Sequence, residues 1–341
     1  MKALAAACLL TLASALPVVA ASPCQPGEIV VKFATVVSPT DNPKGIAAQI
    51  FADRVNRAMK GRVCVIVYPN SMLYDDDTVL QAMLQGDVQM AAPSLSKFEA
   101  FTKVFRLFDL PFLFPDIAAV DRFETSPAGE RMKSAMVDRG LAGLEFWHSG
   151  MKQFSANRPL LRPGDAAGLK FRIQPSAVLA AEIRALHAQP MSIAFADVHD
   201  ALKTGVVDGQ ENTWSNIYAQ KIYKVQDGIT ETNHGVLEYL VVTSTAFLNA
   251  MPADTRSQFL GILHAVTVER NAAVTKVEAK SRAAILADRG TIRSLTPDER
   301  AEWVAAMQPV WAEFRTDVGP ENLAAAEAAS RVSEPTGGTG G

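Results

Sequence analysis

The chain predicts an α/β protein made of two units on mainly parallel sheets. Three observations carry that prediction. Short apolar strands alternate with amphipathic helices, which implies parallel sheets with helices on their faces. The alternation starts twice, near Ile29 and again near Gly168. The 341 residues, less a leader, leave about 320, enough for two domains of ordinary size.

Residues 1–22 read as a secretory signal peptide. Lys2 gives a positive start, Ala3 to Ala15 is apolar, and Pro17 precedes small residues with cleavage options after Ala20 or Ser22. The segment is too short for a membrane anchor. Pro23, directly before Cys24, argues against lipid attachment. An exported, periplasmic protein is expected.

Ile29 to Phe33 reads as a buried-type strand. Thr40 or Asp41 caps a helix from Pro43 to Met59, and Gly61 ends it. Val63 to Tyr68 is the next strand. Thr78 to Leu84 is a helix closed by Gly86, and Val88 to Ala92 a third strand. Phe105 to Phe114 is rigid and apolar, expected to pack in a core. Glu130 to Arg139 reads as a helix, and Leu141 begins an extended segment running through Phe154. The second unit has a strand in Gly168 to Ile173, helices at Ser176–His187 and Asp197–Lys203, and a strand ending at Val207. Asp208-Gly209 is a turn signal. It places Asn212 in a loop before a helix that Ser215 caps and that runs from Asn216 toward Val225. Val236 to Thr243 is a strand that returns to the first unit. Helical periodicity then runs from Asp254 to about Arg289. A further helix, Pro297 to Val318, puts Trp303, Met307 and Trp311 on one face. The last residues, 331–341, are expected to be disordered.

Charge excludes some classes. The 33 basic and 36 acidic side chains are evenly scattered and leave a net charge of −3, which favours neither nucleic acid nor a membrane surface. Cys8 leaves with the leader. Cys24 and Cys64 sit at the starts of two strands. If those strands are parallel neighbours, the sulfurs share one end of the sheet, and an exported protein can close a disulfide there. The five histidines show no metal-ligand spacing, so no metal and no cofactor is expected. No nucleophile elbow, phosphate loop or dinucleotide fingerprint occurs, which argues against an enzyme. Asp75-Asp76-Asp77 reads as a solvated helix N-terminus.

Arg172 is the first candidate for chemistry. In Lys170-Phe171-Arg172-Ile173, alternation puts Phe171 and Ile173 on one face and Arg172 on the other. It stands near the carboxyl end of its strand, where open α/β sheets bind ligands. A guanidinium there can hold a carboxylate through two parallel hydrogen bonds. Asn212 offers both a donor and an acceptor.

Several segments, in this order and spacing, carry a family resemblance: Tyr68-Pro-Asn-Ser-Met-Leu-Tyr, Ala92-Pro-Ser-Leu-Ser-Lys-Phe, Phe108-Asp-Leu-Pro-Phe-Leu-Phe, Ser155-Ala-Asn-Arg-Pro-Leu, Gly168-Leu-Lys-Phe-Arg-Ile-Gln-Pro-Ser, Gly205 to Tyr218, and Thr232-Asn-His-Gly. The chain resembles the extracytoplasmic solute-binding subunit of tripartite ATP-independent periplasmic (TRAP) transporters, in the C4-dicarboxylate subgroup, from about Ile29 to Arg315. The resemblance implies a two-lobed periplasmic binding protein fold. Its two α/β domains would be joined by hinge strands and a long helix: residues 23–149 with 238–277, and 150–237 with 278–330. It implies a monomer that closes on one small organic acid and delivers it to membrane permease subunits. Arg172 and Asn212 would take the carboxylate. Lys152 would add a basic contact, Ser94 and Lys97 would face the ligand from the first domain, and Phe195 would pack on its carbon skeleton. Asp76 and Lys44 match positions near the cleft. Thr35 stands where dicarboxylate-type relatives often carry histidine. Three cations, Lys97, Lys152 and Arg172, suit a diacid better than a neutral sugar. A monocarboxylate or sugar-acid binder, a periplasmic hydrolase and a sensor component are the competing readings.

Overall fold

The computed structural model describes residues 23–331. The leader (1–22) and all but the first residue of the expected tail lie outside the described residues. The elements are β1 (Ile29–Ala34), α1 (Pro43–Ala58), β2 (Val63–Tyr68), α2 (Val79–Gln85), β3 (Met90–Ala91), α3 (Ile117–Glu124), α4 (Pro127–Met132), β4 (Leu141–Ala156), β5 (Lys170–Ile173), α5 (Ala177–Ala185), β6 (Gln189–Ser192), α6 (Val198–Lys203), β7 (Gly209–Asn212), α7 (Trp214–Ala219), β8 (Gly228–Ser244), α8 (Thr245–Ala250), α9 (Ala253–Ala287), β9 (Ile292–Ser294), α10 (Pro297–Met307), α11 (Val310–Val318) and α12 (Pro320–Arg331).

One sheet runs through both lobes in the order β2-β1-β3-β8-β4-β7-β5-β6, with β9 also on β8. β1, β2 and β3 are parallel at one end, and β5, β6 and β7 are parallel at the other. Between them lie the two long antiparallel strands β4 and β8. The carboxyl end of β8 pairs with β3, while the carboxyl end of β4 pairs with β7. These two strands therefore belong to both lobes. The ladder shifts register at His148/Gly150 and Lys152/Phe154. Gly150 sits there at φ +144, and a Cβ would lie 2.7 Å from Glu278 Oε2. Only glycine fits both demands.

Helix α9 is the other connector. At 1.5 Å per residue its 35 residues span roughly 50 Å. Phe259, Leu263 and Val266 fill a core with Phe33, Phe51 and Trp147. Ile285, near its far end, packs with Val198, Ile217 and Ile229. A third core gathers Phe154, Phe171 and Trp303. A fourth holds Phe108, Phe114, Phe123 and Phe146, which gives Phe105–Phe114 the packing role expected of it.

Several expected elements differ. Asn42 caps α1, accepting from the Lys44 amide (3.0 Å); Thr40 and Asp41 lie two residues and one residue too early. The helix expected over Glu130–Arg139 is instead α4 followed by a single tight turn, Val137–Arg139. Val206 and Val207 precede the strand, and Asn212 ends β7 and is not in a loop. Thr213, not Ser215, holds the N-cap position of α7, without a side-chain capping bond, and the helix stops at Ala219. The helix expected over Pro297–Val318 is two, because Pro309 cannot donate to the preceding turn. The break redirects the chain: Trp303 and Met307 enter one core, while Val310 and Phe314 enter another. Helix α12, with Arg331 at its end, had no strong sequence signal. Cys24 and Cys64 are bridged, and β1 and β2 are the parallel neighbours that put both sulfurs at one end of the sheet.

Candidate ligand-binding site

A cavity of about 140 Å³ lies between the lobes at the carboxyl ends of β1, β3, β5 and β7. An apolar cavity near 150 Å³ takes up benzene, so this volume suits a molecule of a few carbons. Lys44, Asp76, Ser94 and Lys97 line it from one lobe. Arg172, Gln174, Phe195, Asn212 and Asn216 line it from the other, and Tyr239 of the shared strand β8 completes the wall.

The cleft is shut. Asn42 Nδ2 donates to Asn216 Oδ1 across it (2.7 Å), and the Ser94 hydroxyl donates to Gln174 Oε1. Beside the cavity, the Ser176 hydroxyl donates to Asp109 Oδ2 (2.7 Å).

Arg172 stands on the face of β5 opposite Phe171 and Ile173, which are both in the core. It is 2 % exposed. Its Nε donates to the Ile193 carbonyl (2.9 Å), which fixes the plane of the guanidinium. Nη1 and Nη2 make no hydrogen bond to the described residues, and no described carboxylate lies within ion-pair distance. Burial pulls its pKa down to about 10, against the pull of Glu211 and Asp77. The group is still charged at neutral pH. A buried cation without a counter-ion is costly, and an incoming carboxylate would relieve that cost.

Asn212 Oδ1 accepts from Asn216 Nδ2 (2.7 Å) and from the Thr213 amide (3.1 Å). Its Nδ2 makes no hydrogen bond to the described residues. Asn216 also donates toward Tyr239 Oη (3.4 Å). Burial raises the Tyr239 phenol to about 12, so it remains a donor. Phe195, half-buried, lines the wall between Ala194 and Ala196.

The lysines of the first lobe are engaged. Lys44 Nζ lies 3.4 Å from Asp76 Oδ2 and 4.1 Å over the Tyr239 ring. Burial lowers the Lys44 pKa and raises that of Asp76, each opposed by the other's charge. Lys97 Nζ lies 2.5 Å from Asp77 Oδ1. Asp76 and Asp77 thus do not form the solvated helix end read from the sequence; Asp75 accepts from Thr78 in that way (2.9 Å).

Lys152 does not line the cavity. Its ammonium pairs with Glu211 (2.7 Å) in a buried cluster. Burial opposes the charge, yet Glu211, Glu182 and Asp109 together hold its pKa above the ordinary lysine value. A sequence cannot show this, because Glu211 is one residue from Asn212 and points to the other face of β7. The expected count of three ligand-facing cations is corrected accordingly: Lys152 is internal, and Lys97 is already paired. Thr35 is buried and does not line the cavity either, whereas Val36 and Val37 do.

Sequence reasoning missed Gln174, Asn216 and Tyr239. Gln174 had a signal: it follows Arg172 by two and shares its face. Asn216 follows Asn212 by four in the same polar run. Tyr239 had none, because only strand pairing brings β8 to the cleft. Trp214 packs in a core and not on the cavity.

A profile described as bacterial extracellular solute-binding protein, family 7, matches residues 33–317. The chain belongs to that family. It is an extracytoplasmic solute-binding subunit of the TRAP type. The "C4-dicarboxylate-binding periplasmic protein DctP" of Vibrio cholerae is 56% identical over 312 residues, covering 92% of this chain and 94% of that protein. A TRAP periplasmic solute-binding protein from Shewanella oneidensis, solved with bound succinate, is 45% identical with a TM-score of 0.88, covering 89% of this chain and 100% of that one. Another from Pseudomonas aeruginosa, solved with bound L-malate, is 43% identical with a TM-score of 0.82, covering 84% and 100%. Family members are solute-binding components of transport systems, which agrees with the two-lobed architecture. No helix of the described residues is long and apolar enough to cross a membrane.

Proposed function

We propose that this family member captures a C4-dicarboxylate such as succinate, malate or fumarate in the interlobe cavity and hands it to TRAP permease subunits. The observation that carries the reading is Arg172: a buried cation with both terminal nitrogens unengaged, on the wall of a cavity of matching size. The succinate-bound and malate-bound relatives support the same ligand class. One carboxylate takes the two Nη groups, with Asn212 Nδ2 as a further donor. The second carboxylate meets Ser94, Lys44 or Lys97 across the cleft. Pairing on both sides is complete only when the lobes are together, so the ligand favours the closed state. The binding event involves no covalent chemistry. We divide the lobes at 23–149 plus 238–277 and 150–237 plus 278–330, with the bending elements in β4, β8 and α9. An N-terminal leader exports the chain to the periplasm, where it works as a monomer.

One observation favours a second reading, a monocarboxylate or sugar acid. Lys44 and Lys97 are each matched by an aspartate, which leaves Arg172 as the cavity cation without an ion pair among the described residues. A thermal-shift and calorimetric screen separates the two. Succinate, malate and fumarate should raise the melting point, and Arg172→Ala should abolish the rise. A rise with gluconate-type acids or with butyrate alone would overturn the dicarboxylate assignment.

A further inference from the structure

Away from the cavity, three buried groups from three elements converge. Glu124 ends α3, His148 lies in β4, and Glu238 is the residue opposite His148 in β8. They are 5 %, 4 % and 2 % exposed. His148 Nδ1 lies 3.0 Å from Glu238 Oε2 and 3.6 Å from Glu124 Oε2. One donor atom from each residue lies within 4.8 Å of the other two. Nitrogen and oxygen ligands sit about 2.0–2.2 Å from zinc, so neighbouring donors in a tetrahedral shell lie roughly 3.3–3.6 Å apart. The two histidine–carboxylate separations, 3.0 and 3.6 Å, bracket that spacing.

We propose that Glu124, His148 and Glu238 bind one divalent transition-metal ion, with zinc as the best fit, and so tie α3 to the β4–β8 ladder. Two further features support it. Glu124 Oε1 and Glu238 Oε1 are buried without any hydrogen-bond partner among the described residues, although buried carboxylate oxygens are normally satisfied. The far ring nitrogen, His148 Nε2, is also buried without a hydrogen-bond partner among the described residues, with Asp121 Oδ1 facing it at 3.5 Å. A metal-bound imidazole characteristically turns its other nitrogen to a carboxylate, which sets its tautomer. Two carboxylates and a neutral imidazole carry two negative charges, and a dication neutralises them without leaving a buried net charge. One imidazole with two carboxylates suits zinc or manganese and disfavours copper(I), which prefers sulfur. The ion has a route in: a cleft lined by Asp121, Glu124, Phe146, His148 and Asn271 reaches the cluster. Lys133 on its rim is held by Glu130 (2.8 Å) and does not occupy the centre. None of the three proposed ligands lines the interlobe cavity, so the site is separate from solute capture.

The test uses the full mature protein, stripped with chelator and dialysed against zinc chloride. Bound zinc is measured by elemental analysis, and melting by scanning calorimetry. The expected result is one zinc per chain and a melting-point rise of about 5 °C with zinc well above its Kd. Glu238→Gln and Glu124→Gln should each lose both. His264→Gln, at the rim of the same cleft, should lose neither. Should Glu238→Gln fail to fold, Glu124→Gln at the helix end carries the measurement. No retained zinc, or zinc retained equally by Glu124→Gln, would mean that the cluster is held by protons alone and would overturn the proposal. Loss of zinc on His264→Gln with retention on Glu124→Gln would place the ion at the rim, with the same consequence.

Discussion

Arg172, on β5, and Lys152, on the shared strand β4, are both cations nearly inaccessible to solvent. Their surroundings are opposite. Lys152 sits among Glu211, Glu182 and Asp109, with an ion pair at 2.7 Å. Arg172 has one carbonyl partner and no carboxylate within pairing distance among the described residues. The difference separates a structural charge from a receptive one. A buried cation that the fold already neutralises gives a ligand nothing to gain, whereas one left unneutralised at a cavity wall supplies binding energy to any carboxylate that fits.

Four measurements sharpen or break that contrast. The largest effect should come from Arg172→Ala. Losing a fully desolvated charge pair costs on the order of 3–5 kcal/mol, a hundredfold or more in Kd. The melting point of the ligand-free protein should hold or rise, because an uncompensated buried charge has been removed. A large fall in ligand-free stability would show that Arg172 is structural after all. Lys152→Met should do the reverse. It strands the Glu211 carboxylate among its acidic neighbours and should destabilise folding by about 3–5 kcal/mol in urea titrations, with solute affinity of the folded fraction changed far less than by Arg172→Ala.

The third concerns pH. Burial raises Glu182 to about 8, against the pull of Lys152 and with Glu211 and Asp109 adding to the rise. Its folded pKa lies above the unfolded value of about 4.3, so the native state holds the extra proton. The associated stability is complete below pH 4 and is lost as pH climbs through 8. Glu182→Gln should therefore flatten the decline in unfolding free energy between pH 5 and 8.5, by about 1–3 kcal/mol at the alkaline end. An unchanged pH profile would remove Glu182 from the cluster's titration. The smallest effect belongs to Asn212→Ala. It deletes one donor to the carboxylate and should weaken binding roughly tenfold, about 1.5 kcal/mol, measured by calorimetry with the ligand that gives the largest thermal shift.

The fold was legible where periodicity and punctuation agreed. Gly86, in a left-handed conformation, ends α2 where expected, and β2 matches its expected bounds. The reading failed where local signals were compatible with two outcomes. Pro297 to Val318 kept helical spacing across Pro309, so the change of core was invisible. Asp208-Gly209 marked a turn that the strand was expected to precede, but the strand begins at Gly209 itself, because pairing with β4 and β5 decides where β7 lies. In the site, Arg172 and Gln174 follow from alternation along one strand. Lys152 was misassigned because its partner lies on a different strand.

The sequence by itself determined the α/β class, the face on which Arg172 stands and the family, since each depends on local order or on motif spacing along the chain. Only the tertiary structure decided which buried charges are neutralised by the fold. Pairing is a matter of a few ångströms between residues far apart in the chain: Lys152 and Glu211 are matched by the pairing of β4 with β7, and Arg172 is left open by the same geometry.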